Sequence, residues 1–125
     1  MAVQDDHMIR NIQDVGRLIA KLLLHEQQPA YTLPEKEEDY TEADRLFASI
    51  MKLAEEGKIN EAENELYEGM VEDDVDYLEL ALTFYLYLND MDGDFLDDNG
   101  YSREEVLEGM KDLASDWGVS GLEAF

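Results

Sequence analysis

Hydrophobic residues recur every three or four positions through most of this chain, which is the spacing of helices with one buried face. The pattern predicts amphipathic helices over residues 6–25, 41–56, 60–70 and 102–118. Residues 76–89 are apolar nearly all the way round, which predicts a helix at the centre of the fold. Part of that segment, TFYLYL, has the composition of a strand, but no second candidate strand exists to pair with it. The sequence therefore predicts an all-α fold of about five helices.

Helix ends are also visible in the sequence. Ser102 with Glu105, and Asn60 with Glu63, have the spacing of a capping box, in which each residue satisfies a backbone N–H of the other. Gly57 is placed to end the preceding helix in a left-handed conformation. These signals predict short turns between neighbouring helices, and hence antiparallel helix hairpins.

The predicted elements form one helical domain over residues 1–125. Residues 1–26 form an N-terminal amphipathic helix, and residues 41–118 form the body of helix hairpins. Residues 27–40 contain both prolines of the chain and a charge run, which predicts a linker or an extended loop.

Composition excludes several classes of function. With 32 acidic and 9 basic residues, the net charge of −23 would repel a phosphate backbone, so nucleic-acid binding is not expected. The chain has no cysteine, which excludes disulfides and thiolate chemistry and fits a cytoplasmic protein. The longest apolar run of the first helix, residues 18–24, is too short to span a membrane, so no membrane partner is expected.

The charge is unevenly distributed. Residues 1–25 hold three acids and three bases, whereas the remaining hundred residues hold 29 acids and six bases. The electroneutral first helix has the apolar spacing of a short coiled-coil seam. Through this seam it could pair with another copy of the chain or with a partner, and its bases would reduce the repulsion between two acidic proteins. Alternatively, the same face packs into the core of its own domain. The candidate partner-binding residues of a homodimer are Ile9, Ile12, Val15, Ile19, Leu22 and Leu23.

The residues that catalysis would need are sparse. His7 and His25 have no metal-ligand spacing, and the serines and glycines form no nucleophile elbow or phosphate loop. Pairs of carboxylates are expected by chance in so acidic a chain. We therefore expect no enzyme activity, no cofactor and no catalytic residue.

Residues 90–100, DMDGDFLDDNG, resemble a calcium-binding loop in part. Asp90, Asp92 and Asp94 fit its first, third and fifth positions. However, Phe95 occupies the sixth position, where the sharp turn of the loop needs glycine. Tyr101 occupies the twelfth position, where a glutamate should complete the calcium coordination shell. The preferred interpretation is a bend between helices, and a calcium site is the alternative.

The segment LAEEGKINEAENEL, residues 53–66, carries the clearest motif of the chain. Gly57 ends the first helix of a predicted hairpin, and Ile59 fills the turn. The small side chain of Ala62 lets the second helix approach the first closely, and Leu66 packs against the first helix one turn later. These offsets resemble the middle of a tetratricopeptide repeat. Two ordinary helix hairpins with the same turn chemistry are an equal alternative.

Three segments, MIRNIQDVGRLIAKLLL, LAEEGKINEAENEL and YSREEVLEGMKDLASDWG, also resemble an uncharacterised family of small, acidic bacterial proteins. The resemblance implies an all-helical cytoplasmic protein with a repeat-like helix hairpin and supplies no catalytic residues. Repeat-like hairpins present concave surfaces, and seven tyrosines offer rigid anchors. We therefore expect a non-catalytic interaction module for a basic or amphipathic protein partner, whose identity the sequence does not name.

Overall fold

The computed structural model describes residues 3–26, 30–122 and 125, with side chains from Asp6 onward. In these residues every regular element is a helix, so the predicted all-α class is confirmed. The elements are α1 (Val3–Ile19), which continues as a π-helical turn (Ala20–Leu24), a 3₁₀ turn (Glu37–Asp39), α2 (Glu42–Glu55), α3 (Ile59–Gly69), α4 (Val75–Asn89), α5 (Gly93–Asp98) and α6 (Arg103–Asp116). No helix in the described part of the chain is long and apolar enough to cross a membrane.

Helix α4 lies at the centre, as its apolar composition predicts. It contacts α1, α2 and α6, while α3 packs mainly on α2. Leu78, Leu82, Phe84 and Leu88 are fully buried on different sides of α4. Because a helix apolar all round must be covered on several sides, α1, α2 and α6 all pack on α4.

The first helix packs into the core of its own chain. Ile12, Val15 and Ile19 have no exposed surface, so the predicted apolar face is covered within the monomer. The helix then widens into the π-helical turn, in which His25 N–H donates to the Ala20 carbonyl. The wider i→i+5 turn changes the angle between successive side chains. Leu22 consequently leaves the buried face and is 52% exposed.

The predicted linker is in part packed on the domain. Tyr31 donates its backbone N–H to Thr83 of α4 at 3.1 Å, and its hydroxyl donates to Asp44 Oδ1. Its ring lies 4.8 Å from the ring of Phe47. Residues 27–29 of the predicted linker lie outside the described part of the chain.

Two similar turns pack against each other. Gly57 (φ +86°) and Gly100 (φ +71°) both adopt the left-handed conformation that favours glycine. Asn60 Nδ2 donates to the Gly100 carbonyl at 3.1 Å, and a Cβ on Gly57 would lie 2.5 Å from Asn99 Oδ1. The predicted capping box of Asn60 is therefore wrong. Helix α3 begins one residue earlier, at Ile59, and its N-cap has no side-chain hydrogen bond, whereas the Ser102 capping box is confirmed.

The aspartate-rich segment contains the short helix α5, which the sequence did not predict. Asp92 is its N-cap and accepts a hydrogen bond from the Asp94 N–H at 3.0 Å. Leu96 anchors the helix in the core with no exposed surface. Arg103, at the start of α6, donates to the carbonyls of Asn89 and Met91 at 2.6 and 2.8 Å. These bonds satisfy carbonyls that the end of α4 leaves without helical partners.

Candidate functional site

A cavity of about 580 Å³ lies between the carboxyl ends of α3 and α6. We call it the α3–α6 cavity. Its described lining consists of Tyr67, Met70, Val71, Glu72, Asp73, Asp116 and Trp117.

The ends of two helices build this cavity. Helix α3 ends at Gly69, and Met70 takes an extended conformation (ψ 138°), which directs the chain away from the helix axis. Asp73 lies in the left-handed region (φ +62°), which aspartate tolerates better than most residues, and the chain turns there toward α4. Trp117 is the C-cap of α6, and Gly118 (φ +82°) ends that helix. The lining is thus set by where the two helices stop.

Aromatic, apolar and acidic surface meet in the cavity. Tyr67 is 46% exposed and Val71 is 45% exposed, although both are large hydrophobic residues. Glu72, Asp73 and Asp116 are exposed carboxylates, and the described lining contains no lysine, arginine or histidine. The cavity therefore combines apolar contact area with an unneutralised negative potential.

Tyr67 of the cavity lining belongs to a hydrogen-bond network of three tyrosines and one carboxylate. The Tyr85 and Tyr101 hydroxyls both donate to Glu63 Oε2, at 2.6 and 3.0 Å. The Tyr67 hydroxyl lies 3.1 Å from that of Tyr85. Because the single Tyr85 proton goes to Glu63, Tyr67 is the donor in that contact. We call these four residues the Glu63 network.

The tyrosines of this network remain neutral donors. Burial, followed by the charge of Glu63, raises the pKa of Tyr85 and of Tyr101 far above the usual tyrosine value. Burial also raises the pKa of Tyr67, and the carboxylates of Glu63, Asp112 and Asp116 add to the rise. The hydroxyl of Tyr67 is hydrogen-bonded to that of Tyr85, while the residue is 46% exposed and lines the cavity.

The glycine at position 109 makes the network possible. Gly109 of α6 lies directly against Tyr85, and a Cβ at this position would be 2.6 Å from Tyr85 Cζ. No other residue type leaves room for the Tyr85 ring in this position. Tyr85, which is 1% exposed, is thereby fixed with its hydroxyl 3.1 Å from that of Tyr67.

The partner-binding residues predicted from the sequence lie elsewhere, on α1. Ile12, Val15 and Ile19 are in the core, where a partner could not reach them without opening the domain. Ile9 and Leu23 are half-buried. Of the six, Leu22 alone is exposed, because the π-helical turn moves it off the buried face.

The other candidate residues are not assembled into a site. His7 and His25 are exposed on α1 and just after its π-helical turn. Among the described residues, no three histidine, cysteine, aspartate or glutamate side chains are grouped in a way that could hold a metal ion. Of the aspartates in the calcium alternative, Asp92 is the N-cap of α5 and accepts a hydrogen bond from the Asp94 N–H.

Sequence reasoning did not locate the α3–α6 cavity. Trp117 is at the helical spacing of the α6 core face, and Tyr67 follows Leu66 in α3, so both resemble core residues in the sequence. The one local signal is the MVED segment, residues 70–73, where two apolar residues directly precede two acids at a helix end.

Comparison with protein-family models identifies the family of this chain. A family model described as a family of unknown function, DUF6483, matches residues 2–118. The chain belongs to the DUF6483 family. No curated protein and no solved structure matches it. The DUF6483 match includes every described residue of the α3–α6 cavity and of the Glu63 network, so both lie within the family region.

Proposed function

We propose that this protein is a non-catalytic interaction module that binds a basic or amphipathic segment of a partner protein in the α3–α6 cavity. One observation carries the proposal: a cavity of about 580 Å³ exposes aromatic and apolar side chains beside three carboxylates and no base in its described lining. An amphipathic basic segment offers the complementary surface, apolar on one side and cationic on the other.

Charge and geometry both support a binding role. The net charge of −23 would draw a basic partner toward the protein and accelerate its association at low ionic strength. The cavity lining offers carboxylates and one phenol, which neither pair as a nucleophile and base nor surround a metal position. We further propose that α2 and α3 form a tetratricopeptide-like helix hairpin that serves as a scaffold, and that the protein is cytoplasmic.

The test uses Trp117, because it is the sole tryptophan of the chain and lines the cavity. Its fluorescence is recorded during titration with an amphipathic Leu/Lys peptide and with a Leu/Glu peptide of the same length. We expect saturable change with the Leu/Lys peptide alone, and weaker association as salt is raised, since the Debye length falls to about 8 Å at physiological ionic strength.

Two valines provide a matched control. Val71 and Val75 are 45% and 50% exposed, but Val71 lines the cavity and Val75 starts α4 outside its described lining. Val71→Ser should weaken peptide binding severalfold, by loss of buried apolar contact, and Val75→Ser should not. Equal effects of both substitutions, or equal binding of the Leu/Glu peptide, would refute this function.

The predicted homodimer now rests on a smaller surface. Leu22 is exposed beside Arg17, Lys21 and His25, which line a shallow depression with Glu26. Sedimentation equilibrium of the protein and of Leu22→Asp tests self-association there. A dimer that Leu22→Asp dissociates would support this interface, and a monomer at all concentrations would remove the homodimer from the proposal.

A further inference from the structure

The α3–α6 cavity has the composition of a receptor for a single cationic side chain. Tyr67 and Trp117 supply aromatic rings, Met70 and Val71 supply apolar surface, and the adjoining carboxylates supply negative charge. A lysine or arginine side chain complements this lining, because it has an aliphatic stem and a positively charged head. We propose that the cavity binds one lysine or arginine side chain of the partner protein, an inference that rests on the proposed function.

Carboxylates from two different segments line the cavity. Glu72 and Asp73 approach from the segment after α3, and Asp116 approaches from the last turn of α6. A cation over an aromatic ring is attracted by the ring quadrupole, and a nearby carboxylate adds to that attraction. Because the described lining contains no base of this chain, the incoming cation would not have to displace an internal ion pair.

The Glu63 network holds the Tyr67 ring in position for this contact. The hydroxyl of Tyr67 is bound to Tyr85, whose own hydroxyl is bound to Glu63 at 2.6 Å. Tyr85 is in turn confined by Gly109. The Tyr67 ring is therefore restrained from behind before a ligand arrives, which lowers the entropy lost on binding. Tyr67 is both a contact residue and the link between the cavity and the network.

The experiment changes only the charge of the ligand. The Leu/Lys peptide and its fully Nε-acetylated form share the same backbone and aliphatic stems, but acetylation removes the cation. Titrations that follow Trp117 fluorescence are run with both peptides at one ionic strength. We expect the acetylated peptide to bind about tenfold more weakly than the Leu/Lys peptide.

Variants of the protein locate the interaction. Asp116→Asn should weaken binding of the Leu/Lys peptide and leave binding of the acetylated peptide unchanged. Asp97→Asn is the matched control, since Asp97 is also an exposed helical aspartate but belongs to α5, outside the described lining. Tyr67→Phe keeps the ring and removes its tether, so we expect binding about threefold weaker. Circular dichroism verifies that each variant is folded.

Four results would refute the cation receptor. If both peptides bind equally, and Val71→Ser weakens both, the cation receptor is refuted while the interaction module stands. If neither peptide changes Trp117 fluorescence, the proposed function fails together with this inference. Equal losses in Asp116→Asn and Asp97→Asn would show nonspecific charge attraction and refute the receptor. Tighter binding of spermidine than of the Leu/Lys peptide would identify a small polyamine as the ligand and refute a protein side chain.

Discussion

Gly109→Ala tests the packing around Tyr85, the hydrogen-bond partner of Tyr67. An alanine Cβ at this position would lie 2.6 Å from Cζ and 2.7 Å from the hydroxyl oxygen of Tyr85, so the ring would have to move. Overpacking of this kind costs about 1–3 kcal/mol. Movement of the hydroxyl would also sacrifice the bond to the Glu63 carboxylate, which contributes about 1.5–3 kcal/mol. Alanine recovers about 1 kcal/mol through its higher helix propensity. The free energy of unfolding should therefore fall by roughly 1.5–5 kcal/mol.

Urea unfolding monitored by circular dichroism measures this change, and Gly16→Ala is the matched control. Gly16 is also inside a helix, but its added Cβ would meet the flexible ends of Met110 and Leu86, at 3.0 and 3.1 Å. We expect Gly16→Ala to change stability by less than about 1 kcal/mol, because helix propensity offsets the small adjustment.

The reasoning would be refuted by two results. One is a Gly109→Ala variant as stable as Gly16→Ala. The other is an unchanged destabilisation when Gly109→Ala is made in a Tyr85→Leu background, since removal of the ring should remove most of the clash. The peptide titrations offer a functional check, because displacement of Tyr85 should also loosen Tyr67 and weaken binding of the Leu/Lys peptide.

Three further predictions concern other parts of the molecule. Arg103→Met should lower the free energy of unfolding by about 2–4 kcal/mol in urea, because buried carbonyls at the end of α4 lose a charged donor; a loss below about 1 kcal/mol would contradict this. The raised pKa values of Tyr85 and Tyr101 mean that the unfolded chain loses these protons near pH 10 while the folded chain keeps them. Stability should therefore fall as pH rises above about 10, less steeply in Tyr85→Phe, and an identical slope in the variant would refute this coupling. Thermal unfolding in chelator, magnesium and calcium should show small, equal ion effects, whereas a calcium-selective rise that Asp92→Asn abolishes would establish the calcium alternative.

Local patterns predicted most of the helices correctly. The apolar period predicted α1, α2, α3 and α6, and the all-round apolar composition of residues 76–89 predicted α4. Ser102 with Glu105 marked the start of α6. Helix α5 has six residues and one fully buried apolar anchor, Leu96, which is too little for a periodic signal. The predicted Asn60 capping box is absent because α3 begins at Ile59 and the Asn60 side chain donates to the Gly100 carbonyl. Glu63 accepts hydrogen bonds from two tyrosines of distant segments.

The cavity could not be predicted in the same way. Tyr67 and Trp117 are separated in the sequence by all of α4, α5 and α6, and each has the spacing of a core residue. The exposure of Leu22 likewise depends on a π-helical turn, which the heptad-like spacing of α1 does not reveal.

By itself the sequence determined the helical class, the central place of α4, the turn at Gly57, and the strong negative charge. All of these follow from residue types within a few positions of one another, because helix periodicity and turn chemistry are local properties. The tertiary structure alone decided that the apolar face of α1 is internal, that Glu63 collects two tyrosine hydroxyls, and that α3 and α6 end beside a shared cavity. Those features depend on which helices, distant in sequence, contact one another, and these contacts are set by the packing of the whole core around α4.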